Sequence, residues 1–327
     1  MTTTCARSGK LVCTTFSGLT IVVAMPVDKA IDELIDVVPE LRGERVVTEL
    51  AGGLTNTNYK VETEHGTFVV RISAKDSGML AIDRENEYQN TVAAAEEGVG
   101  PAVVGYIPER SLMVLEFIEG QTQSAEDLRR GDKIEMVAHA CRRLHGAARF
   151  RDDFNMFDIQ RRYLALVQER GFKLPDRYLE FEPAVREIER AMAVRDEGTV
   201  PCNNDLLAEN FIDTGGEFRL IDYEYSGNND ACFELGNVWS ESNLSLDQLE
   251  QLVAAYYGRP LRNKVARARL WGLMSKYGWT LWASIQDGVS DIDFDFWEWG
   301  LEKYDRAVLE FDGPDFERLL DDVTADD

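Results

Sequence analysis

Val-Pro-Cys-Asn-Asn-Asp-Leu-Leu-Ala-Glu-Asn-Phe-Ile at 200–212 and Leu-Ile-Asp-Tyr-Glu-Tyr-Ser-Gly at 220–227 are the most specific stretches of this chain. Asp205 and Asn210 stand in the spacing D-x-x-x-x-N, which lets a carboxylate meet a substrate hydroxyl while the amide oxygen reaches a metal ion. Asp222 follows an apolar strand and can supply a second metal ligand, because Mg²⁺ needs few carboxylates beside substrate phosphates. The pattern predicts a phosphoryl-transfer site. Two surface turns rich in Asn and Asp are the alternative.

Composition excludes several classes of function. The chain has 327 residues, a formal net charge of −24 and a pI near 4.5, so it repels nucleic acid and anionic membranes. A hydrophobic content of 44% is enough for a large core, and the length suggests one two-lobed unit or two domains. Acidic residues are spread along the whole chain, which is typical of a solvated surface, with a high-salt cytoplasm as one setting for it.

Neither a disulfide framework nor a zinc site is predicted. The cysteines are odd in number and form no C-x-x-C pair, which fits a reducing, cytoplasmic compartment. We interpret the histidines as structural, because none lies beside a candidate nucleophile. These residues are Cys5, Cys13, Cys141, Cys202, Cys232, His65, His139 and His145.

Residues 1–24 are predicted to be a disordered extension outside the folded unit, or the product of a start codon assigned too early. Arg7 and Lys10 precede an apolar stretch that loosely copies a signal peptide, so secretion is the alternative. The stretch is too short and too polar to span a bilayer. A capped helix is expected from Asp28 to Val37.

The hydrophobic pattern divides the rest of the chain into a sheet-forming part and a helical part. Alternation with a period near two predicts three strands between Arg45 and Ile72, and two more at 103–106 and 112–116. A helix is expected at 82–97, before Gly98. Further helices are expected at about 125–149, 158–171, 176–194, 232–243, 247–257, 262–287 and 295–311, with strands only around 210–222.

This order of elements predicts an α+β, protein-kinase-like fold of two lobes. The small antiparallel-sheet lobe, at 25–116, is expected to bind a nucleotide. The larger and mostly helical lobe, at 117–327, is expected to carry catalysis and substrate binding.

Ala-Gly-Gly-Leu-Thr-Asn-Thr-Asn-Tyr at 51–59 lies between two strands, where small residues let backbone N–H groups approach phosphate oxygens. It is neither a Walker A loop nor G-x-G-x-x-G, and a plain hairpin turn is the alternative. Arg71 can meet phosphates, and Glu87 can hold it in place, with Glu85 as a competitor; both acids could instead be helix-surface residues. The expected nucleotide contacts are Gly52, Gly53, Asn56, Thr57, Asn58, Arg71 and Glu87, with Glu116 and Phe117 presenting backbone groups to adenine.

These motifs resemble the choline and ethanolamine kinase family, within the larger group of aminoglycoside phosphotransferases, and the likeness covers roughly residues 45–310. Its signatures are Gly-Gly-Leu-Thr-Asn-Thr-Asn-Tyr (52–59), Val-Val-Arg-Ile (69–72), Asn-Asp-Leu-Leu-Ala-Glu-Asn-Phe-Ile (204–212), Ile-Asp-Tyr-Glu-Tyr (221–225), Phe-Glu-Leu-Gly-Asn (233–237) and Trp-Thr-Leu-Trp-Ala-Ser-Ile-Gln (279–286). The resemblance implies ATP and Mg²⁺ as cofactors. It also implies Asp205 as base, Asn210 and Asp222 as metal ligands, and Arg71 with the 52–58 loop as phosphate contacts.

Two positions depart from the family pattern. Asn203 stands where the family usually has His, a change that bears on the rigidity of the loop more than on catalysis. Glu234 stands where Asp is usual, on the loop behind the metal site.

The resemblance also places a substrate pocket at Tyr225, Glu241, Trp279, Trp282, Phe294 and Trp299. Trp279 and Trp282 are three residues apart and share a helix face. A desolvated ammonium over such faces gains about 0.5–2 kcal/mol per contact. The alternative is that these aromatic residues, with Phe296 and Trp297, pack the core of the large lobe.

The expected function is ATP-dependent phosphorylation of a small amino alcohol, choline or ethanolamine. Another hydroxyl substrate (an aminoglycoside, thiamine or a sugar) is the same-fold alternative, and an inactive nucleotide-binding protein is the alternative from another class. No nucleic-acid partner and no membrane insertion are expected.

Overall fold

The computed structural model describes residues 15–16, 19–20, 29–50, 53–73 and 77–326. Strands β1 (Thr15–Phe16) and β2 (Leu19–Thr20) pair antiparallel, and helix α1 (Lys29–Ile35) follows them. The predictions for the other residues of 1–24, for the start of the helix at Asp28 and for Gly52 lie outside the described residues.

The small lobe is built on a five-stranded antiparallel sheet. Its strands are β3 (Arg45–Leu50), β4 (Asn56–Thr63), β5 (Gly66–Ser73), β6 (Val103–Ile107) and β7 (Leu112–Glu116), in the order β3-β4-β5-β7-β6. Arg71 lies on the central strand, with Asn58 beside it on β4 and Met113 on β7. The period-two pattern predicts all five strands, and the structure confirms them.

Helix α2 (Arg84–Glu96) carries an acidic first turn towards the sheet. Its N-cap is Asp83, whose carboxylate accepts hydrogen bonds from the backbone N–H groups of Glu85 and Asn86 at 2.9 and 3.0 Å. Glu87, one turn into the helix, is buried. The cap therefore fixes where the helix begins and which acid faces inward.

The large lobe is mostly helical and is organised around one long helix. Its helices are α3 (Ala125–Leu128), α4 (Lys133–His145), α5 (Met156–Arg170), α6 (Glu182–Val194), α7 (Ala231–Glu241), α8 (Leu246–Tyr257), α9 (Arg262–Val289), α10 (Phe296–Phe311) and α11 (Phe316–Thr324). Helix α9 packs against α5, α7, α10 and α11. Since it is surrounded, its aromatic residues are mostly buried.

Short strands hold the loops between these helices. They are β8 (Gln121–Thr122), β9 (Val200–Cys202), β10 (Phe211–Asp213), β11 (Phe218–Leu220) and β12 (Gly227–Asn229), paired in the orders β11-β10-β8 and β12-β9. The β10–β11 hairpin separates Asn210 from Asp222, and the backbone N–H of Ile221 donates to the carbonyl of Asn210 at 3.0 Å. The hairpin thus returns the chain from one predicted metal ligand to the other.

The large lobe departs from the sequence prediction in three places. The helix expected at 125–149 is divided into α3 and α4, because Gly131 adopts a positive φ of 41° between them. The helix expected at 176–194 begins as a 3₁₀ turn, Tyr178–Phe181, before α6. Helix α11 and strands β8, β9 and β12 are not among the expected elements; the strands have two or three residues each, too few to show a period.

The described elements form an α+β, two-lobed, protein-kinase-like fold. The boundary between lobes at 116 and 117 stays a prediction. Among the described helices, none combines the length and apolarity that a membrane span requires.

Helices α7 and α9 touch at two glycines, and this contact admits no side chain. A Cβ on Gly236 would lie 2.1 Å from the Ala268 carbonyl oxygen and 2.7 Å from the Gly272 nitrogen. We expect Gly236→Ala to lower the free energy of unfolding by about 1–3 kcal/mol, because the helices must separate. Denaturant unfolding measures this. Gly78→Ala is the control, since a Cβ there meets nothing within 4 Å; equal stability of the two variants would contradict the prediction.

Candidate active site

A cavity of about 510 Å³ lies between the loop that joins β3 to β4 and the large lobe. Most of the predicted site residues meet there. Those that line it are Gly53, Asn56, Asn58, Asp205, Asn210, Asp222, Tyr225, Glu241, Trp279, Trp282, Phe294 and Trp299. The tertiary structure therefore brings both ends of the sequence pattern, the 53–58 loop and the 279–299 aromatic residues, to one place.

Arg71 links the sheet to the large lobe at the edge of this cavity. Its Nη1 donates to Glu87 Oε1 at 2.6 Å and to Asp222 Oδ1 at 2.9 Å, and its Nε donates to Asn58 Oδ1 at 3.3 Å. Glu87, not Glu85, is the acid that lies against Arg71. The arginine side chain is 7% exposed, so its charge is held among acceptors and not in water.

Among the described residues, five of the predicted nucleotide contacts do not line the cavity: Arg71 and its partner Glu87 beside it, and Thr57, Glu116 and Phe117. Thr57 is exposed on β4. The backbone N–H of Glu116 donates to the carbonyl of Ala102, and that of Phe117 donates to the carbonyl of Thr67. A contact between Glu116 or Phe117 and adenine stays a prediction, and it would use other groups than these two N–H groups.

Asp205 is a carboxylate in an acidic and largely buried setting. Burial raises the pKa of its carboxyl well above the usual range, and the neighbouring carboxylates of Asp222, Glu241 and Glu224 raise it further. Lys303 lowers it. A carboxylate with a raised pKa is a stronger base once it is ionised, which suits it to accept a hydroxyl proton.

Asn210 and Asp222 both line the cavity, and the side chain of each makes a hydrogen bond within the protein through one of its two polar atoms. Asn210 Nδ2 donates to the carbonyl of Asp205 at 2.7 Å, so the amide oxygen is the atom left for another partner. Asp222 adopts a left-handed backbone conformation, with a φ of 62°. Such backbone is uncommon outside glycine and concentrates at functional sites.

Asn203 ties the loop of Asp205 to the loop of Asp222. Its Nδ2 donates to the carbonyls of Ile221 and Asp222 at 3.2 and 2.8 Å, and its Oδ1 accepts the backbone N–H of Asp205 at 3.1 Å. The sequence raised the question whether this replacement of His loosens the loop. The side chain makes contacts to both loops, so they are joined directly.

Glu234 supports the same loop from behind. Its carboxylate accepts the backbone N–H groups of Asn203 and Asn204 at 2.8 and 3.0 Å. Burial raises the pKa of Glu234 to about 7, against these two hydrogen bonds. Asn204, like Asp222, has a positive φ, of 67°. A buried acid and two asparagines thus hold an unusual backbone in place.

Glu224 is a cavity residue to which the sequence assigned no role. It accepts Thr55 Oγ1 at 2.8 Å and Asn56 Nδ2 at 2.8 Å, so it fastens the β3–β4 loop to the large lobe. Burial raises the pKa of Glu224 to about 7, with Asp222 and Glu87 adding to the effect and Arg71 and Arg84 opposing it. Its place in the Asp-Tyr-Glu-Tyr motif, two residues after Asp222, was the available signal.

The aromatic wall of the cavity belongs to the protein core too. Trp282 Nε1 donates to the hydroxyl of Tyr225 at 2.7 Å, and the Tyr225 ring meets Trp279 edge-on with centroids 4.9 Å apart. Trp299 meets Trp282 in the same way at 5.6 Å. The two readings of these residues, pocket lining and core packing, therefore apply to the same side chains.

Fold and cavity together define a small-molecule kinase. The chain belongs to the choline/ethanolamine kinase family, whose model matches residues 47–256.

Individual relatives agree with this assignment. A choline/ethanolamine kinase family protein from Mesorhizobium loti is 30% identical, with a TM-score of 0.79 and coverage of 92% of this chain and 99% of that one. Choline kinase LicA from Streptococcus pneumoniae is 26% identical, with a TM-score of 0.74 and coverage of 87% and 98%. Ethanolamine kinase 2 of Rattus norvegicus is 26% identical over 302 residues, 82% of this chain and 77% of the rat protein.

The aminoglycoside phosphotransferases, the larger group that the sequence motifs also resemble, are similar to this chain in fold alone. The GDP complex of aminoglycoside 2′-phosphotransferase-IIIa is 14% identical, with a TM-score of 0.62 and coverage of 85% of this chain and 97% of that one.

We expect Asn203→Ala to lower kcat about tenfold or more, because the loops of Asp205 and Asp222 lose the side chain that joins them. The free energy of unfolding should fall by about 1–3 kcal/mol, since the backbone groups that this side chain meets lose a buried partner. Steady-state kinetics and urea unfolding measure the two effects.

Asn228→Ala is a matched control for this variant. Asn228 is as buried as Asn203, its Oδ1 accepts one backbone N–H, and its Nδ2 donates to two backbone carbonyls, but its partners lie at 150–153, away from the cavity. It should lose a similar amount of stability and keep its kcat. A kcat lowered equally in both variants would show that Asn203 acts through stability alone.

Proposed function

We propose that this kinase transfers the γ-phosphoryl group of ATP to the hydroxyl of choline or ethanolamine in the 510 Å³ cavity. The observation that carries the proposal is the convergence of Asp205, Asn210 and Asp222 with Trp279 and Trp282 on that one cavity. Family membership supports the phosphoryl transfer and the amino-alcohol class. The choline kinase and ethanolamine kinase relatives are equally similar, at 26% identity, so they favour neither amine.

Asp205 orients the acceptor and takes its proton. Asp205 lines the cavity, and its raised pKa makes the ionised carboxylate a stronger base for the proton of a hydroxyl bound beside it. Because only the ionised carboxylate can act as base, activity should be lost as the pH falls through the raised pKa of Asp205. Asn203 and Glu234 hold the loop that presents it.

Asn210 and Asp222 form the donor set that would hold Mg²⁺. An amide oxygen and a carboxylate are hard oxygen ligands, and the Asn210 oxygen is left available by the hydrogen bond of its Nδ2 to Asp205. When bound, Mg²⁺ neutralises phosphate charge in the transition state. The chain itself adds the charge of Arg71, which Glu87 and Asp222 hold at the cavity edge.

The β3–β4 loop and the first residues of β4 supply the remaining phosphate environment. Gly53, Asn56 and Asn58 line the cavity, and a Cβ on Gly53 would lie 2.2 Å from the carbonyl oxygen of Asn56. Position 53 therefore admits glycine alone in this conformation. Glu224 keeps the loop closed over the cavity through Thr55 and Asn56, which helps to exclude water from the transferred group.

Tyr225, Trp279 and Trp282 form the side of the cavity that meets the ammonium group. Their rings attract a cation through the negative potential of their faces, while Asp205 adds negative charge nearby. An amino alcohol fits this combination of an acid for its hydroxyl and aromatic faces for its nitrogen.

A panel of acceptors tests the proposal directly. We expect ATP consumption with choline or ethanolamine and none above background with an aminoglycoside or thiamine.

Asp205→Asn should reduce kcat at least about a thousandfold and leave ATP affinity within about threefold, because it alters a group that meets the acceptor and not the nucleotide. Turnover of Asp205→Asn near the wild-type value would remove Asp205 from the mechanism.

Asp222→Ala is the comparison for that variant. It should weaken both turnover and the binding of Mg·ATP, since its proposed partner is the metal. An unchanged Mg²⁺ dependence would contradict the assignment of Asp222.

Trp282→Ala should raise the KM for the amino alcohol by about tenfold, the equivalent of one lost cation–π face of about 1.4 kcal/mol, with the KM for ATP little changed. Trp271→Ala is the matched control. Trp271 lies on the same helix and is equally buried, but it packs against Phe157 and Phe233 and does not line the cavity. Both variants should lose stability. If both raise the KM alike, Trp282 acts as packing only.

A further inference from the structure

A buried ion pair stands in the wall of the substrate cavity. Glu241, the last residue of α7, pairs through Oε2 with Lys303 of α10, and the two side chains are 4% and 8% exposed. A second cavity, of about 200 Å³, lies on the Lys303 side. Glu241 and Trp299 line both cavities, whereas Lys303 lines only the second. Lys303 therefore contacts Glu241 from the side opposite the substrate cavity.

The second oxygen of Glu241 has no hydrogen-bond partner within the part of the chain that the structure describes. Oε1 is buried, and buried carboxylate oxygens are nearly always paired. The last torsion of a Glu side chain is broad, so a small rotation about it can turn Oε1 to a ligand without loss of the pair with Lys303. What this oxygen requires is a hydrogen-bond donor, and an ammonium with an N–H is one.

Lys303 also occupies part of the aromatic surface. Its ammonium lies 4.1 Å from the centroid of the Trp299 ring, so this ring already holds a cation. Lys303 and Trp299 are one helical turn apart on α10, a spacing that keeps them together. Trp299 therefore contributes less attraction to a bound cation than its position in the cavity suggests. A quaternary ammonium binds by aromatic faces alone, so its binding is weakened most.

The net charge of the Glu241–Lys303 pair also disfavours a quaternary ammonium. Glu241 with Lys303 is a neutral pair, so it offers little Coulomb attraction to a cation that cannot donate a hydrogen bond. Arg306, on the same side of α10, donates to the carbonyl of Ser240 at the end of α7, which fixes Glu241 and Lys303 relative to each other. The carboxylate is thus positioned as an acceptor more than as a charge.

We propose that Lys303 is a positioning residue that sets the acceptor preference: by holding one oxygen of Glu241 it leaves the other for a substrate N–H, so ethanolamine and its N-methylated derivatives are used ahead of choline. The inference rests on the proposed function and narrows its substrate class to amino alcohols with a protonated, N–H-bearing nitrogen.

The first test uses the unmodified enzyme and a series of acceptors. Ethanolamine, N-methylethanolamine, N,N-dimethylethanolamine and choline have successively fewer N–H groups, and only choline has none. We expect kcat/KM to change gradually along the first three and to fall about tenfold or more at choline, the size of one lost hydrogen bond to a charged group. Choline used as well as N,N-dimethylethanolamine would overturn the proposal.

The second test changes the positioning residue. Lys303→Met should reduce the ratio of kcat/KM for N,N-dimethylethanolamine to that for choline at least about fivefold, because Glu241 then acts as an unpaired charge that attracts either cation and the Trp299 face is freed. Lys303→Arg keeps the charge and should keep the ratio. An unchanged ratio in Lys303→Met overturns the role of Lys303; if that variant does not fold, the acceptor series alone decides.

Lys173→Met is the matched control. Lys173 also pairs with a carboxylate, Asp287, and lies 5.3 Å from a tryptophan ring, that of Trp297, but none of the three lines the cavity. Lys173→Met should have the same ratio of kcat/KM for N,N-dimethylethanolamine to kcat/KM for choline as the wild-type enzyme. A change of this ratio as large as in Lys303→Met would overturn the proposal. Phosphorylation of none of the four amines would refute the proposed function itself, whereas choline preferred with robust turnover refutes this inference alone.

Discussion

The guanidinium of Arg71 is the charge around which the two lobes come together. It lies on the central strand of the sheet and meets Glu87 of α2 and Asp222 of the large lobe. Removal of one partner from such a buried pair typically costs about 3–5 kcal/mol, because the remaining charge is left without compensation. The position of Asp222, and with it the side of the cavity where we propose that a metal binds, therefore depends on a residue of the other lobe.

The loops that carry Asp205 and Asp222 have to be held by side chains, since their backbone is locally unfavourable. Asn204 and Asp222 both have positive φ values, which a regular hydrogen-bonded ladder would not impose. Asn203 and Glu234 supply the constraint through backbone N–H and carbonyl groups on either side. An asparagine at position 203 can do this because it carries both a donor and an acceptor within one short side chain.

The aromatic residues of α9 show why packing and recognition are not separate roles here. Trp279 and Trp282 are almost fully buried, yet both line the cavity that lies between the β3–β4 loop and the large lobe. On the proposed function, an amino-alcohol cation that enters this cavity would lose water, which would strengthen its attraction to ring faces and carboxylates alike. The same low polarity raises the pKa values of Asp205 and Glu224.

Much of this molecule follows from local rules in the sequence. The five strands of the sheet, the helix that ends before Gly98 and the order Asp205, Asn210, Asp222 could be predicted because strand period, helix-stop signals and motif spacing act between near neighbours. Glu224 with Thr55 and Lys303 with Glu241 could not, since these partners are 169 and 62 residues apart. Their pairing depends on how whole lobes and helices pack, and the charge of a residue says nothing about which distant residue will neutralise it. The sequence alone determined the class of chemistry; only the tertiary structure decided which oxygen of Glu241 is paired, because that depends on a lysine of another helix.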